Sequence, residues 1–201
     1  YHVDQGKGLN YWAPTINMSR DPRWGRDEEN YGEDPFLAGT LAVQFVKGFQ
    51  GEITPSMPYY KLVACAKHFA ANNYEQGRQS TTSFVSEKNM REYYLPAFEM
   101  CVRQADVKSI MAAYNALSTN LSETDANNRG YNYAHGGLPC AANRMLLTDI
   151  LRTEWGFTGY VTSDCAGLSV IHRNTKHLYF GDYKEGTINT GTAFSDIHAP
   201  Y

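Results

Sequence analysis

The 201 residues carry a net charge of −3 and are 42% hydrophobic, enough apolar content for a packed core. No basic stretch offers a footprint for nucleic acid or an anionic membrane, and no apolar run approaches the ~20 residues needed to cross a bilayer. The four cysteines (Cys65, Cys101, Cys140 and Cys165) contain no Cys-x-x-Cys pair, so neither zinc nor a dithiol redox site is indicated.

In chain order, Leu9 to Met18, interrupted by Pro14, is the weakest of four strand candidates. The run Ser19-Arg20-Asp21-Pro22-Arg23-Trp24-Gly25-Arg26 follows. Its guanidinium groups suit sugar hydroxyls or a carboxylate, and Trp24 offers an apolar face for a sugar ring. A salt-bridged surface turn is an equal reading of the run taken alone. Asp27-Glu28-Glu29 reads as a solvated turn leading to Tyr31-Gly32. Asp34 is placed to cap a helix and Pro35 to open it; Leu37, Leu41, Phe45 and Phe49 then form an apolar stripe expected to pack, and Gly51 ends it.

Leu62 to Ala66 reads as a buried parallel strand running into Lys67-His68-Phe69, with Cys65 a core thiol. Ser86 caps a second helix with the stripe Met90, Tyr94, Phe98 and Val102, which Pro96 should kink or split near Tyr94 and in which Cys101 is also a core thiol. Ser109 to Ala113 is a third strand, ending in Tyr114-Asn115. Ser118 to Gly137 lacks periodicity and reads as a long loop. A helix from about Asn143 runs through Leu146, Leu147, Ile150 and Leu151 to Trp155, where Gly156 stops it. Gly159 to Thr162 is a strand ending in Ser163-Asp164-Cys165. Residues 1–171 form one α/β unit, and 172–201 a poorly defined tail.

Lys67, His68, Tyr114 and Asp164 all fall where a strand gives way to a loop. In parallel α/β barrels such positions converge on one mouth, where the active site lies. Each residue alone has a structural explanation; together they point to a site.

These blocks resemble glycoside hydrolase family 3, the β-glucosidase and β-xylosidase group. The likeness is carried in order by Arg20-Asp21-Pro22-Arg23-Trp24-Gly25-Arg26 with Gly32-Glu33-Asp34-Pro35, by Lys67-His68-Phe69, by Met111 with Tyr114-Asn115, and by Leu146-Leu147 through Trp155-Gly156-Phe157 to Ser163-Asp164. It implies a (β/α)8 TIM-like barrel, here partial and truncated at both ends, followed in the same polypeptide by an α/β domain that supplies the general acid/base. It also implies Asp164 as nucleophile, Arg26, Lys67 and His68 as binders of sugar hydroxyls, Tyr114 beside the nucleophile and Met111 lining the pocket.

The implied reaction is retaining hydrolysis of a terminal β-linked sugar, without metal or cofactor, through a glycosyl-enzyme on Asp164. Nearby cations would favour the charged carboxylate. The partners implied are an oligosaccharide or glycoside and the C-terminal domain, with no nucleic acid and no membrane span. Cys165 after the nucleophile and Leu95-Pro96-Ala97-Phe98-Glu99 resemble the β-xylosidase and arabinofuranosidase branch more than the β-glucosidases. The alternative is a sugar-binding fragment or inactive remnant without the acid/base domain. Compartment stays open, with a periplasmic or secreted setting favoured. Asn17-Met18-Ser19 and Asn120-Leu121-Ser122 match the N-glycosylation pattern, of which only Asn120 is a sensible acceptor.

Overall fold

The computed structural model describes residues 8–79, 81–119 and 137–172. Asn120, most of the expected Ser118–Gly137 loop and the tail beyond His172 lie outside the described residues.

Four strands, β1 (Asn10–Tyr11), β2 (Val63–Phe69), β4 (Ser109–Ala112) and β7 (Tyr160–Ser163), pair in parallel in the order β1-β2-β4-β7. A bridge between Thr15 and Lys67 extends the first pairing toward the C-terminal end. Chain order equals sheet order because a helical crossover returns the chain to the same edge each time, the arrangement of a partial (β/α) barrel. The crossovers are α1 (Pro35–Gln50), then α2 (Glu87–Asn89) with α3 (Pro96–Ala105), and α4 (Met145–Glu154), which is wound as a π-helix; α5 (Gly167–His172) follows β7.

Strand alternation divides the sheet between two environments. Ala64, Ala66, Ile110 and Val161 belong to the core or pack on it, together with Phe98, Leu146, Ile150 and Trp155 from the helices. Phe69 stands edge-on to both Phe98 and Trp155, with ring centroids 5.1 and 5.9 Å away. The alternate residues Cys65, Lys67, Ser109, Met111 and Thr162 occupy the other face. Gly159 lets β7 come in beside β4, because a Cβ there would lie 2.3 Å from the Lys108 carbonyl oxygen.

Local signals set the helix ends. The Asp34 carboxylate accepts from Leu37 N–H, Pro35 takes the first position of α1, and Gly51 closes it at φ +71°. Ser86 caps α2 through Asn89 N–H. Pro96 cannot supply an N–H, and the chain bridges the gap with a π-type turn over Met90–Tyr94, in which Leu95 N–H reaches Met90 O.

The buried face of α1 differs from the expected stripe. Leu37 and Leu41 are 51% and 43% exposed, whereas Ala38, Gly39, Ala42, Val43 and Val46 are buried. Contact with α3 explains the reversal: a Cβ at Gly39 would lie 2.4 Å from Met100 Sδ and 3.2 Å from Ala97 Cα, so the two helices meet through small residues. Phe45 and Phe49 stack on each other, and Phe49 also meets Tyr11.

A second sheet of β3 (Thr82–Phe84), β5 (Ala116–Ser118) and β6 (Leu138–Pro139) was not anticipated. It forms beside the C-terminal ends of β2 and β4, with β3 and β5 parallel and β5 and β6 antiparallel. Cys65, Cys101 and Cys140 are buried free thiols, and burial pushes them to about 11, 12 and 12.

Candidate active site

Lys67 and His68 lie inside β2, which continues to Phe69 instead of ending before them. The pairing of β2 with β4 shifts register between Ala66 and Phe69, and the Lys67–His68 and Phe69–Ala70 peptides are both cis. The same stretch is gripped from outside the sheet by Asn17, which is 3% exposed. Asn17 Nδ2 donates to the His68 carbonyl at 2.9 Å, and Asn17 Oδ1 accepts from His68 N–H at 2.9 Å. That oxygen also lies 3.0 Å from His68 Nδ1. An amide oxygen only accepts, so His68 carries its proton on Nδ1 and leaves Nε2 as an acceptor. Burial of Asn17 excludes it as a glycosylation acceptor.

His68 is 1% exposed. Burial first, then the charges of Arg26 and Lys67, hold its pKa down at about 2, so the ring is neutral. Its Nε2 faces Arg26 Nη1 at 3.3 Å and Asp164 Oδ2 at 3.6 Å. Asp164 begins the turn after β7: its Oδ1 accepts from Cys165 N–H at 2.7 Å and its carbonyl accepts from Gly167 N–H. The Tyr114 hydroxyl donates to the Cys165 carbonyl from the end of β4. Burial and the Asp164 charge raise the Tyr114 pKa, keeping the phenol protonated.

Four of the expected residues therefore meet directly or through one neighbour: Arg26, His68, Asp164 and Tyr114. Lys67 is half-buried, and its ammonium forms no ion pair among the described residues. Its charge reaches Glu29 and His68. Met111 is 0% exposed; it pairs with Thr162 within the sheet and offers no free surface in this structure. Trp24 is 7% exposed, which withdraws the open apolar face expected for a sugar ring. Arg23 and Asp21 instead follow the surface-turn reading, pairing with each other in solvent.

Sequence reasoning missed the groups that hold Arg26. Glu29 grips it through two bonds of 2.7 Å, and Thr15 Oγ1 donates to the same carboxylate at 3.2 Å. Hydrogen bonding from Arg26 takes the Glu29 pKa down to about 2. The turn over Asp27–Glu29 was legible, but its grip on Arg26 was not. Glu75 lies 3.8 Å from Arg26 and pairs with Arg78 at 2.9 Å, and the Arg78 guanidinium stands 4.8 Å over the Tyr114 ring. The polar spacing of Glu75 and Arg78, following His68 in sequence, was the available signal.

One carboxylate beside a neutral imidazole that a guanidinium also contacts can hold hydroxyl groups and present a charged oxygen to a carbon centre. Glu29 is committed to the Arg26 guanidinium and held low, a setting opposite to that of a general acid, whose pKa must be raised, and Glu75 pairs with Arg78. No cluster of three or more His, Cys, Asp or Glu side chains able to hold a metal ion occurs among the described residues. No helix among them is long and apolar enough to cross a membrane.

Residues 6–193 match the glycosyl hydrolase family 3 N-terminal domain. A xylan 1,4-β-xylosidase of Xylanibacter ruminicola is 36% identical over 197 residues, covering 97% of this chain and 20% of that protein. The solved structure of β-glucosidase 3B from Thermotoga neapolitana, in complex with glucose, is 39% identical with a TM-score of 0.64, covering 81% of this chain and 19% of that one. An exo-β-xylosidase of the same family, solved with a xylobiose aziridine activity-based probe, is 29% identical with a TM-score of 0.71, covering 85% and 20%. The chain thus spans about a fifth of the length of the relatives it matches.

Proposed function

The chain belongs to glycosyl hydrolase family 3, and from that premise we propose that it is part of a retaining, exo-acting β-glycosidase, with a β-xyloside as the favoured substrate. Asp164 attacks the anomeric carbon and the bond to the leaving oxygen breaks, giving a covalent glycosyl-enzyme that water then hydrolyses. Arg26, Lys67 and His68 bind hydroxyls of the terminal sugar. Neutral His68 accepts a hydrogen bond from one hydroxyl at Nε2, and the two cations donate. Tyr114 braces the turn that carries Asp164, and Met111 backs the pocket from within the sheet.

The observation that carries this reading is the approach of Asp164 Oδ2 to His68 Nε2 at 3.6 Å, with Arg26 on the same nitrogen. Residues 96 positions apart in sequence meet across β4, at the C-terminal ends of β2 and β7. Protonation of the leaving oxygen is assigned to a carboxyl group in the remainder of the polypeptide, since Glu29 and Glu75 are both tied to Arg26 or Arg78.

The preference for a xyloside rests on Cys165, a small residue beside Asp164, and on the β-xylosidases among the relatives. In the intact polypeptide, Asp164→Asn should lower kcat on an aryl β-xyloside by about 10⁴-fold or more, the scale of losing a nucleophile, while leaving the fold unchanged. Wild-type turnover by this variant would remove Asp164 from the mechanism. Binding of the xyloside without turnover by the unsubstituted polypeptide would instead favour a sugar-binding role.

A further inference from the structure

A cavity of about 290 Å³ lies between the loop after β1 and the edge strand β3; its wall includes Arg20, Asn73, Tyr74, Thr82, Phe84 and Tyr94. The volume sits at the lower end of small-molecule sites and admits a ligand the size of one monosaccharide. Arg26, His68, Tyr114 and Asp164 are not among the residues that line it. Ser83, also in its wall, donates to the Ala71 carbonyl and accepts from Asn115, the residue after Tyr114.

Arg20 gives the cavity its character. One of its N–H groups donates to the Tyr94 hydroxyl, and its guanidinium carbon lies 5.5 Å from the centre of the Tyr94 ring. These contacts fix the fork while leaving most of its donors unspent. Arg20 forms no ion pair among the described residues, and its neighbour Asp21 is held by Arg23 through bonds to both carboxylate oxygens. Thr82, in the wall, carries a buried hydroxyl without a hydrogen-bond partner among the described residues. Tyr74 and Phe84, both about half exposed, add aromatic surface.

We propose that this cavity binds an acidic monosaccharide, a sugar ring bearing a carboxylate, with the carboxylate on Arg20, a hydroxyl on Thr82 and the ring's C–H face against the aromatic wall. The choice of a sugar rests on reading the Asp164, His68 and Arg26 cluster as a glycosidase site. The choice of an anionic one rests on Arg20. A planar fork is matched by a carboxylate better than by any neutral sugar hydroxyl.

The test titrates the protein with D-glucuronate and with D-glucose, its neutral counterpart, at low salt, following NMR signals of the Thr82 and Tyr94 backbone amides. Glucuronate should bind about fivefold more tightly than glucose, the scale of one partly exposed charge-assisted pair. Arg20→Gln should abolish that preference, and Arg20→Lys, which keeps the charge without the fork, should retain part of it and serves if the first variant does not fold. Asp164→Asn should leave the preference intact, so this result is read independently of the catalytic assignment. Equal binding of the two sugars, or a preference that survives loss of the Arg20 charge, overturns the proposal. A preference that strengthens in Asp164→Asn and is kept in Arg20→Gln would locate the anion beside Asp164 and overturn it equally.

Discussion

Replacing Asn17 by Ala tests how the site is assembled. The amide makes two hydrogen bonds of 2.9 Å to the His68 backbone and a third of 3.0 Å to its ring, all buried. Removal strands the His68 N–H, its carbonyl and its Nδ1–H, each costing about 1–3 kcal/mol if nothing replaces the partner. A water entering the space left by the amide would recover part of this, since the site is polar. The expected net loss is about 3 kcal/mol. It should appear in urea unfolding as a lower midpoint with an unchanged slope, and thermally as a fall of roughly 9 °C for a chain of this size. Nitrogen shifts of the His68 ring should show the Nδ1–H tautomer in the unsubstituted protein and a mixture in the variant. A loss below about 1 kcal/mol, or the Nε2–H tautomer before substitution, would refute the clamp.

Stability should fall in mild acid. His68 titrates near 6.5 when unfolded and near 2 when folded, so its contribution is complete above pH 6.5 and declines below it, by about 1.4 kcal/mol for each pH unit in the window from 6 to 4.5. His68→Gln should remove one proton's worth of that slope in a series of urea titrations; an equal slope in both proteins would contradict the buried neutral ring. Two glycines should respond oppositely to the same change. Gly159→Ala drives a methyl into the Lys108 backbone and should cost about 2 kcal/mol, whereas Gly48→Ala, with nothing within 4 Å of the added carbon in α1, should stabilise by about 0.7 kcal/mol. Equal effects in thermal melts would discredit the close approach of β7 to Lys108.

The features visible in the sequence were those with local causes. Asp34, Pro35 and Gly51 mark α1 because capping, a fixed φ and a positive φ each act within a few residues. Pro96 announces its break for the same reason. The strands were legible because β2, β4 and β7 are nearly continuous apolar runs, and their shared direction brought Lys67, His68, Tyr114 and Asp164 to one end.

Features that depend on distant partners were not visible. Leu37 and Leu41 look like a packing stripe, yet whether they are buried depends on α3, whose close approach selects Ala38, Gly39 and Ala42 instead. Asn17 is 51 positions from His68, and its neighbours in sequence carry no sign of the pairing. Glu29 sits in an acidic run of the kind that usually forms a solvated turn; only the fold brings Thr15 to the carboxylate that holds Arg26. The second sheet escaped because β5 and β6 flank a stretch without periodicity and are short.

The central claim is that one carboxylate, gathered with Arg26 and His68 at the strand ends, forms the bond to sugar. Incubating the intact polypeptide with an activated 2-deoxy-2-fluoro-β-xyloside slows breakdown of such a bond and lets it accumulate, so mass spectrometry of the digested protein can locate it. The expected result is a single fluoroxylosyl adduct on Asp164, in the peptide that also carries Cys165. An adduct on any other residue, or turnover with no adduct under conditions that trap a glycosyl-enzyme, would contradict the account.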